Sequence, residues 1–310
     1  YKLYSSKLEG RSAGIGVEVE TDPVSGYLLI TEVYPNSPAQ TEGLQKGDRI
    51  VAIGDDTVTA ENSAEMAGKL SGIKLTSVSL TYRRDDVDKS VNVVLGYTNQ
   101  TVSYELIGTV GYIKISAFYK NTLNQLEKAI TQLKKEGAKS LIFDVRSTYD
   151  GTVEYTCRVI DLLVPTATEG NKAIATLVDK TGKTVKTYSS DSKDIIMPMA
   201  VLINSDTAGC GELFACDLKD FGKAFLIGEK TAGRADVQET FELSDGGAIV
   251  LTTSKMLPYI SDSFDGNGLT PDTEIILADS LRENLSTLEK DRDTQLQAAV
   301  SMLAGNSSEE

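Results

Sequence analysis

The sequence predicts a mixed α/β protein in two parts: a small, strand-rich N-terminal domain and a larger core whose partly parallel sheet is flanked by helices. Three observations predict this. Between residues 14 and 95 the apolar runs are short and alternate with polar residues, as in Gly14-Ile15-Gly16-Val17-Glu18-Val19-Glu20, the period of half-buried strands. Near residue 100 the pattern changes to strand, amphipathic helix and buried strand, the order that lays strands parallel. The stretch from Pro198 to Gln238 then repeats that order around a tight turn of small and polar residues. The boundaries follow: an N-terminal arm remnant at 1–13, a first domain at 14–97 and a second at 98–310 with C-terminal helices.

In the first domain, Gly14–Glu20 reads as an edge strand and Tyr27–Val33 as a second strand. Gly43–Gly54 contains Gly47-Asp48-Arg49-Ile50, a helix follows at 62–70, and strands lie near 77–83 and 89–95. Gly96–Tyr104 reads as the junction. Thr109–Ser116 is a strand; Leu123, Leu126, Ile130 and Leu133 recur at helical spacing behind an Asn121 or Thr122 cap, and Gly137 ends that helix. Ser140–Val145 is a buried strand. Ala173–Asp179 and Thr184–Ser190 form a hairpin around Lys180-Thr181-Gly182-Lys183.

Ala200–Ile203 is an apolar run suited to a strand buried on both faces. Residues 204–211 are small or polar, Glu212–Phe221 carries one apolar face, and Ala224–Ile227 is another buried strand. Amides at a helix N-terminus after such a turn suit a nucleophile and a developing oxyanion. Glu239–Leu243 and Ala248–Thr253 pair around residues 244–247, and Leu281–Leu303 is helical, broken by the charged run Glu289–Asp293.

Composition narrows the chemistry. The net charge of −14 over 310 residues argues against nucleic acid or an anionic membrane as partner. The chain has no histidine, which removes Ser-His-Asp and Cys-His catalysis together with histidine-ligated zinc. Its three cysteines, 157, 210 and 216, cannot all pair internally and match no zinc spacing, so no metal and no cofactor are expected. No run of 18 apolar residues is present. The sequence opens on Tyr1 rather than Met, which reads as the trimming of a signal or anchor segment.

Two motifs carry a family resemblance. Asn204-Ser205-Asp206-Thr207-Ala208-Gly209-Cys210-Gly211-Glu212, followed by Ile227-Gly228-Glu229-Lys230-Thr231-Ala232-Gly233-Arg234-Ala235-Asp236-Val237-Gln238, resembles the active-site segments of carboxyl-terminal processing (tail-specific) serine proteases. Gly14-Ile15-Gly16-Val17, with Ser37-Pro38-Ala39 and Gly47-Asp48-Arg49-Ile50 in register, resembles a PDZ domain of the bacterial protease type. Gly268-Leu269-Thr270-Pro271-Asp272 and Asp293-Thr294-Gln295-Leu296 match the family's closing segments, so the resemblance covers about residues 12–303. It implies a PDZ domain plus a protease-like core of the ClpP/crotonase type, and an extracytoplasmic location.

Carried over residue by residue, the resemblance places the family's nucleophilic serine on Gly209, its lysine base on Arg234 and its lysine-orienting glutamine on Gln238. In Asp144-Val145-Arg146-Ser147-Thr148-Tyr149-Asp150-Gly151, where the family has D-L-R-N-N-P-G-G and donates an amide to the oxyanion, Tyr149 and Asp150 replace the proline and first glycine. Glycine supplies no attacking atom and a guanidinium stays protonated, so the expected protein is a catalytically inactive homologue. A carboxylate beside a developing oxyanion repels it.

The alternative is an active serine-type or displaced-nucleophile endopeptidase that cleaves exported or unfolded proteins near their C-termini, with Cys210, at the helix start where a thiolate is stabilised, as the displaced nucleophile. Lys230 and Lys255 occupy surface or structural positions, and Glu212 with Asp236 makes no convincing acid pair. The remaining expectation is a binding module. Peptide or protein C-termini would be held by the amides of Ile15, Gly16 and Val17 while the peptide adds a strand. The terminal helices offer a route to a homo-oligomer.

Overall fold

The computed structural model describes residues 12–34, 37–96, 100–165, 173–190, 195–243, 247–282, 285 and 288–305. Most of the arm expected at 1–13 and residues 244–246 of the expected turn therefore lie outside the described residues. The chain divides into two units, one ending at Asn99 and the other starting at Gln100.

The first unit contains β1 (Ser12–Gly14), β2 (Val17–Thr21), β3 (Leu28–Val33), α1 (Pro38–Thr41), β4 (Arg49–Ile53), β5 (Asp56–Thr57), α2 (Ser63–Gly68), β6 (Ser71–Ile73), β7 (Ser77–Arg84) and β8 (Val87–Val94). Ser12 and Ala13, expected in the arm, belong to β1, which pairs antiparallel with β6. The main sheet runs β2-β3-β4-β7-β8, with β5 on β4, so β2 is an edge strand. Ile15, Leu28, Ile30, Ile50, Met66, Leu80 and Val93 fill the core. Gly47-Asp48-Arg49 has a structural reason. Buried Asp48 accepts from the Gln45 amide and pairs with Arg84 at 2.6 Å, while Arg49 reaches Asp22 at 2.6 Å.

The second unit contains β9 (Val102–Ile107), β10 (Val110–Ile115), α3 (Thr122–Glu136), β11 (Ser140–Asp144), α4 (Val153–Leu163), β12 (Ala173–Val178), β13 (Thr184–Ser189), β14 (Met199–Ile203), α5 (Cys210–Asp220), β15 (Ala224–Gly228), β16 (Asp236–Glu242), β17 (Ala248–Leu257), β18 (Thr273–Glu274), α6 (Asp279–Arg282) and α7 (Thr294–Gly305). One sheet runs β18-β15-β14-β11-β10-β9, parallel except for β9; a second runs β13-β12-β17-β16. Every residue of β11 and β14 is buried, as their unbroken apolar runs require. One apolar cluster joins α3, α4 and α5 to one face of the parallel sheet. On the other face, Leu296, Ala299 and Leu303 of α7 pack on Val110, Ile142, Ala200, Leu202 and Ile227.

One difference from the sequence reading stands out: it passes over 152–163, where α4 lies, capped by Thr152 Oγ1 accepting from the Tyr155 amide. The break read at Glu289–Asp293 is present: α7 opens after Asp293, whose carboxylate accepts from the Leu296 amide at 3.0 Å, while residues 283, 284, 286 and 287 lie outside the described residues. The buried face of α7 thus packs on the chain's own sheet. No helix among the described residues is long and apolar enough to cross a membrane.

A buried ionic knot fastens α7. Arg146, 4% exposed, donates from Nε and Nη2 to Asp144 at 3.0 and 2.6 Å, from Nη1 and Nη2 to Asp293 at 3.1 and 2.8 Å, and from Nη1 to Gln295 at 3.0 Å. Burial pushes the Asp144 carboxyl up, but the Arg146 guanidinium and the Tyr112 hydroxyl outweigh that and hold it below its ordinary value. Replacing Arg146 by Met strands two buried carboxylates. The expected loss is about 3–5 kcal/mol in urea denaturation, and a loss below about 1 kcal/mol would contradict the role given to this knot.

Candidate active site

Adjacent parallel strands β11 and β14 deliver their carboxyl-terminal loops to one end of the sheet, the place where open α/β sheets hold their sites. The loop after β14 is a framework of side-chain bonds. Asn204 Oδ1 accepts from the Ser147 amide at 2.8 Å, Asn204 Nδ2 donates to Ser147 Oγ at 3.1 Å, and Thr207 Oγ1 donates to the Val145 carbonyl at 3.0 Å. The Ala208 amide donates to the Thr148 carbonyl at 3.1 Å. At Gly211 a Cβ would run into that same Thr148 carbonyl, so the first turn of α5 can lie against this loop only with glycine there.

Gly209 is the N-cap of α5, at φ 53° and ψ −112°. L-residues rarely adopt this conformation, and glycine does so without steric cost. There is room for a side chain: a Cβ would sit 3.6 Å from the Tyr149 carbonyl oxygen and 3.9 Å from that of Arg234. The residue assigned to the nucleophile, the substituted 149–150 segment and the residue assigned to the base thus meet at one point.

Glu212 is what brings them there. Its fully buried carboxylate accepts from the Gly209 amide at 3.0 Å and the Arg234 amide at 2.8 Å, both on Oε2. On Oε1 it accepts from the Gly233 amide at 2.7 Å and from the Thr231 hydroxyl. The sequence reading saw Glu212 only as a first-turn helix residue. Its place three residues after the cap is the capping-box position, and that was the available signal.

The side chains divide differently from the backbone. Arg234 is exposed, and among the described residues its guanidinium makes no hydrogen bond or ion pair. Gln238 is exposed on β16, opposite Thr252, and the two side chains do not bond to each other. The structure therefore places Gly209, Asp150, Cys210 and the Arg234 backbone together but does not join Gln238 to Arg234. Asp150 is half-buried and accepts from the hydroxyl of buried Tyr119, a partner that no sequence spacing indicated. Lys255 is engaged by Asp265, and Lys230 is exposed.

Cys210 departs from its sequence expectation. It is the first residue of α5, but it is only 5% exposed, and burial, with the Asp150 charge adding to it, pushes the thiol up to about 11. The desolvation cost outweighs the helix terminus, so the thiol is protonated at neutral pH.

The profile described as "Peptidase family S41" matches residues 109–275, more than half of the chain, and that of the PDZ domain matches residues 13–95. The chain belongs to peptidase family S41. It is 30% identical over 307 residues to a carboxyl-terminal-processing protease of Synechocystis, covering 96% of this chain and 69% of that protein. A protein of the same name from Picosynechococcus is 28% identical over 313 residues, 98% of this chain and 73% of the relative. The crystal structure of an S41 protease from Bacteroides fragilis shares the fold, with a TM-score of 0.56 at 20% identity over 95% of this chain and 83% of that one. This S41 member therefore has a PDZ domain and an S41 core.

Cysteines 157, 210 and 216 are all free and buried. With iodoacetamide at pH 7, the folded protein should leave Cys210 unmodified, and unfolding in urea should expose all three thiols. Selective alkylation of Cys210 in the folded protein would show an activated thiol and contradict its buried, protonated state.

Proposed function

We propose that this S41 homologue is catalytically silent and holds polypeptide C-termini in the groove of its PDZ domain. The observation that supports silence is the junction at Gly209. A residue with no side chain occupies the N-cap of α5, and the residue across from it carries an exposed guanidinium in place of an amine that can lose its proton. Asp150 adds negative charge beside the same turn. Cys210 supplies no substitute, because its thiol is buried and protonated. On the same resemblance we place the protein outside the cytoplasm, which fractionation of cells expressing it would test.

The purified protein should not cleave casein between pH 6 and 9. Gly209→Ser or Arg234→Lys alone should change nothing measurable, since nucleophile and base act as a unit. The serine at 209 must also take a positive φ, at about 1–3 kcal/mol, so that variant should be less stable. The double variant should give detectable cleavage, and Asp150→Gly should raise it further. Turnover by the unaltered chain, abolished by Cys210→Ala, would overturn silence and name the nucleophile.

The groove reading rests on β2. The Tyr34 amide donates to the Gly16 carbonyl at 3.0 Å beside the Val17–Val33 pair, so Val17 points its own N–H and C=O to the open edge. The Gly16 amide has no partner among the described residues, whereas the Ile15 amide is taken by the Leu70 carbonyl at 3.1 Å. Gly16 is buried and Val17 half-buried, and our reading gives these two amides to a terminal carboxylate, without the Ile15 amide that the sequence reading included. Amidating a peptide's C-terminus should weaken binding by about 1–3 kcal/mol in a fluorescence titration. Equal affinity of acid and amide would rule this mode out.

A further inference from the structure

The exposed face of β2 carries a charge pattern that the groove reading does not use. Along the strand Val17 and Val19 are half-buried, and Glu18, Glu20 and Thr21 are exposed. Glu18 stands directly across from Glu32 of β3, which is exposed as well. Like charges directly opposite each other weaken a ladder. Glu18 accepts a hydrogen bond from the Tyr34 hydroxyl, but among the described residues none of Glu18, Glu20 and Glu32 is in an ion pair. By contrast, Asp22, Asp48, Asp56 and Asp88 in the same unit all have a lysine or arginine partner.

Three uncompensated carboxylates thus line the face beside the one edge that shows Val17's free backbone groups. The helix side of the groove differs. Met66 of α2 is buried, Ala67 is half-buried, and Thr21 Oγ1 donates to Ser63 Oγ at 2.9 Å, which ties the far end of β2 to the start of α2.

Building on the groove reading, we infer that the preferred partner is an extended polypeptide C-terminus with an apolar last residue and lysine or arginine at the second and fourth positions from its end. The register decides the positions. A chain whose terminal carboxylate meets the Gly16 and Val17 amides runs antiparallel to β2. Its last residue then lies opposite Val17, its second from the end opposite Glu18, and its fourth opposite Glu20. Side chains directly opposite each other share a face, so the second and fourth meet the carboxylates and the last and third face α2. A cation at the second position also relieves the repulsion between Glu18 and Glu32. Exposed pairs of this kind are individually weak, so the preference is the sum of a few pairs and is sensitive to salt.

The test uses the whole protein and fluorescein-labelled ten-residue peptides ending in valine, titrated by anisotropy in 50 mM and 500 mM NaCl. One has lysines second and fourth from the end, one has glutamates there, and one has the same two lysines moved to the third and fifth positions; each is made as free acid and amide. The first acid should bind about tenfold tighter than the glutamate acid, and several-fold tighter than the displaced-lysine acid, at low salt. Both ratios should shrink at high salt, and both should collapse in the Glu18→Gln/Glu20→Gln/Glu32→Gln variant.

Equal affinity of the three acids, with each acid still tighter than its amide, would overturn the charge preference and leave the groove standing. Equal affinity of acids and amides, or no binding at all, would bring down the groove reading and this inference with it. A lysine preference that does not depend on position, or that survives in the triple variant, would show attraction to the acidic protein as a whole and would also overturn the inference.

Discussion

The site of this S41 protein depends on one buried carboxylate. Glu212 accepts four hydrogen bonds, from Gly209 on its own helix and from Thr231, Gly233 and Arg234 on the loop that follows β15. A buried, charged acceptor is costly unless every lone pair is used, and here each oxygen has two donors. That requirement forces the loop to fold back onto the start of α5, whatever side chains stand at 209 and 234. Three of the four bonds use backbone amides, which do not depend on the side chains at 209, 233 and 234.

The surroundings repeat the same logic. Thr231 donates to Glu212 and accepts from the Leu269 amide at 2.7 Å, so the Gly268–Asp272 segment is drawn in. Asp272 accepts from the Leu226 amide at 2.9 Å and pairs with Lys219 at 2.6 Å, which fastens that segment to β15 and α5. On the opposite face of the sheet, Arg146 binds the end of β11 to the start of α7 through Asp144 and Asp293. Breaking the buried Arg146 set costs about 3–5 kcal/mol, whereas Asp272 is exposed and its pair with Lys219 contributes far less. Exposed Arg234 and Gln238 carry no such structural obligation.

Much of this was legible in one dimension. Unbroken apolar runs identified β11, β14 and β15, and helical spacing identified α3 and α5, because burial on two faces or on one leaves a period. Motif spacing singled out Gly209, Arg234 and Asp150, and the fold brings Gly209 close to the Tyr149 and Arg234 carbonyls. The helix α4 was missed although Val153, Thr156, Cys157, Val159, Ile160 and Leu163 are its buried residues. Threonine and cysteine in the apolar stripe, next to an irregular loop, weaken the signal on which such a reading relies. Glu212 was seen but undervalued: a glutamate in a first helical turn is ordinarily solvated, and its partners lie about 20 residues further along the chain.

By itself the sequence determined the two-part α/β organisation, the family frame and the absence of histidine from the chain. Those are properties of residue identity and period, which do not depend on what folds against them. Only the tertiary structure decided which groups are available. It buried Cys210 and so raised its thiol, gave the Ile15 amide to Leu70, and, among the described residues, left the outer edge of β2 without a neighbouring strand, beside carboxylates that lack a cationic partner. Desolvation, hydrogen-bond partnership and edge exposure are set by neighbours distant in the chain, and no local pattern carries them.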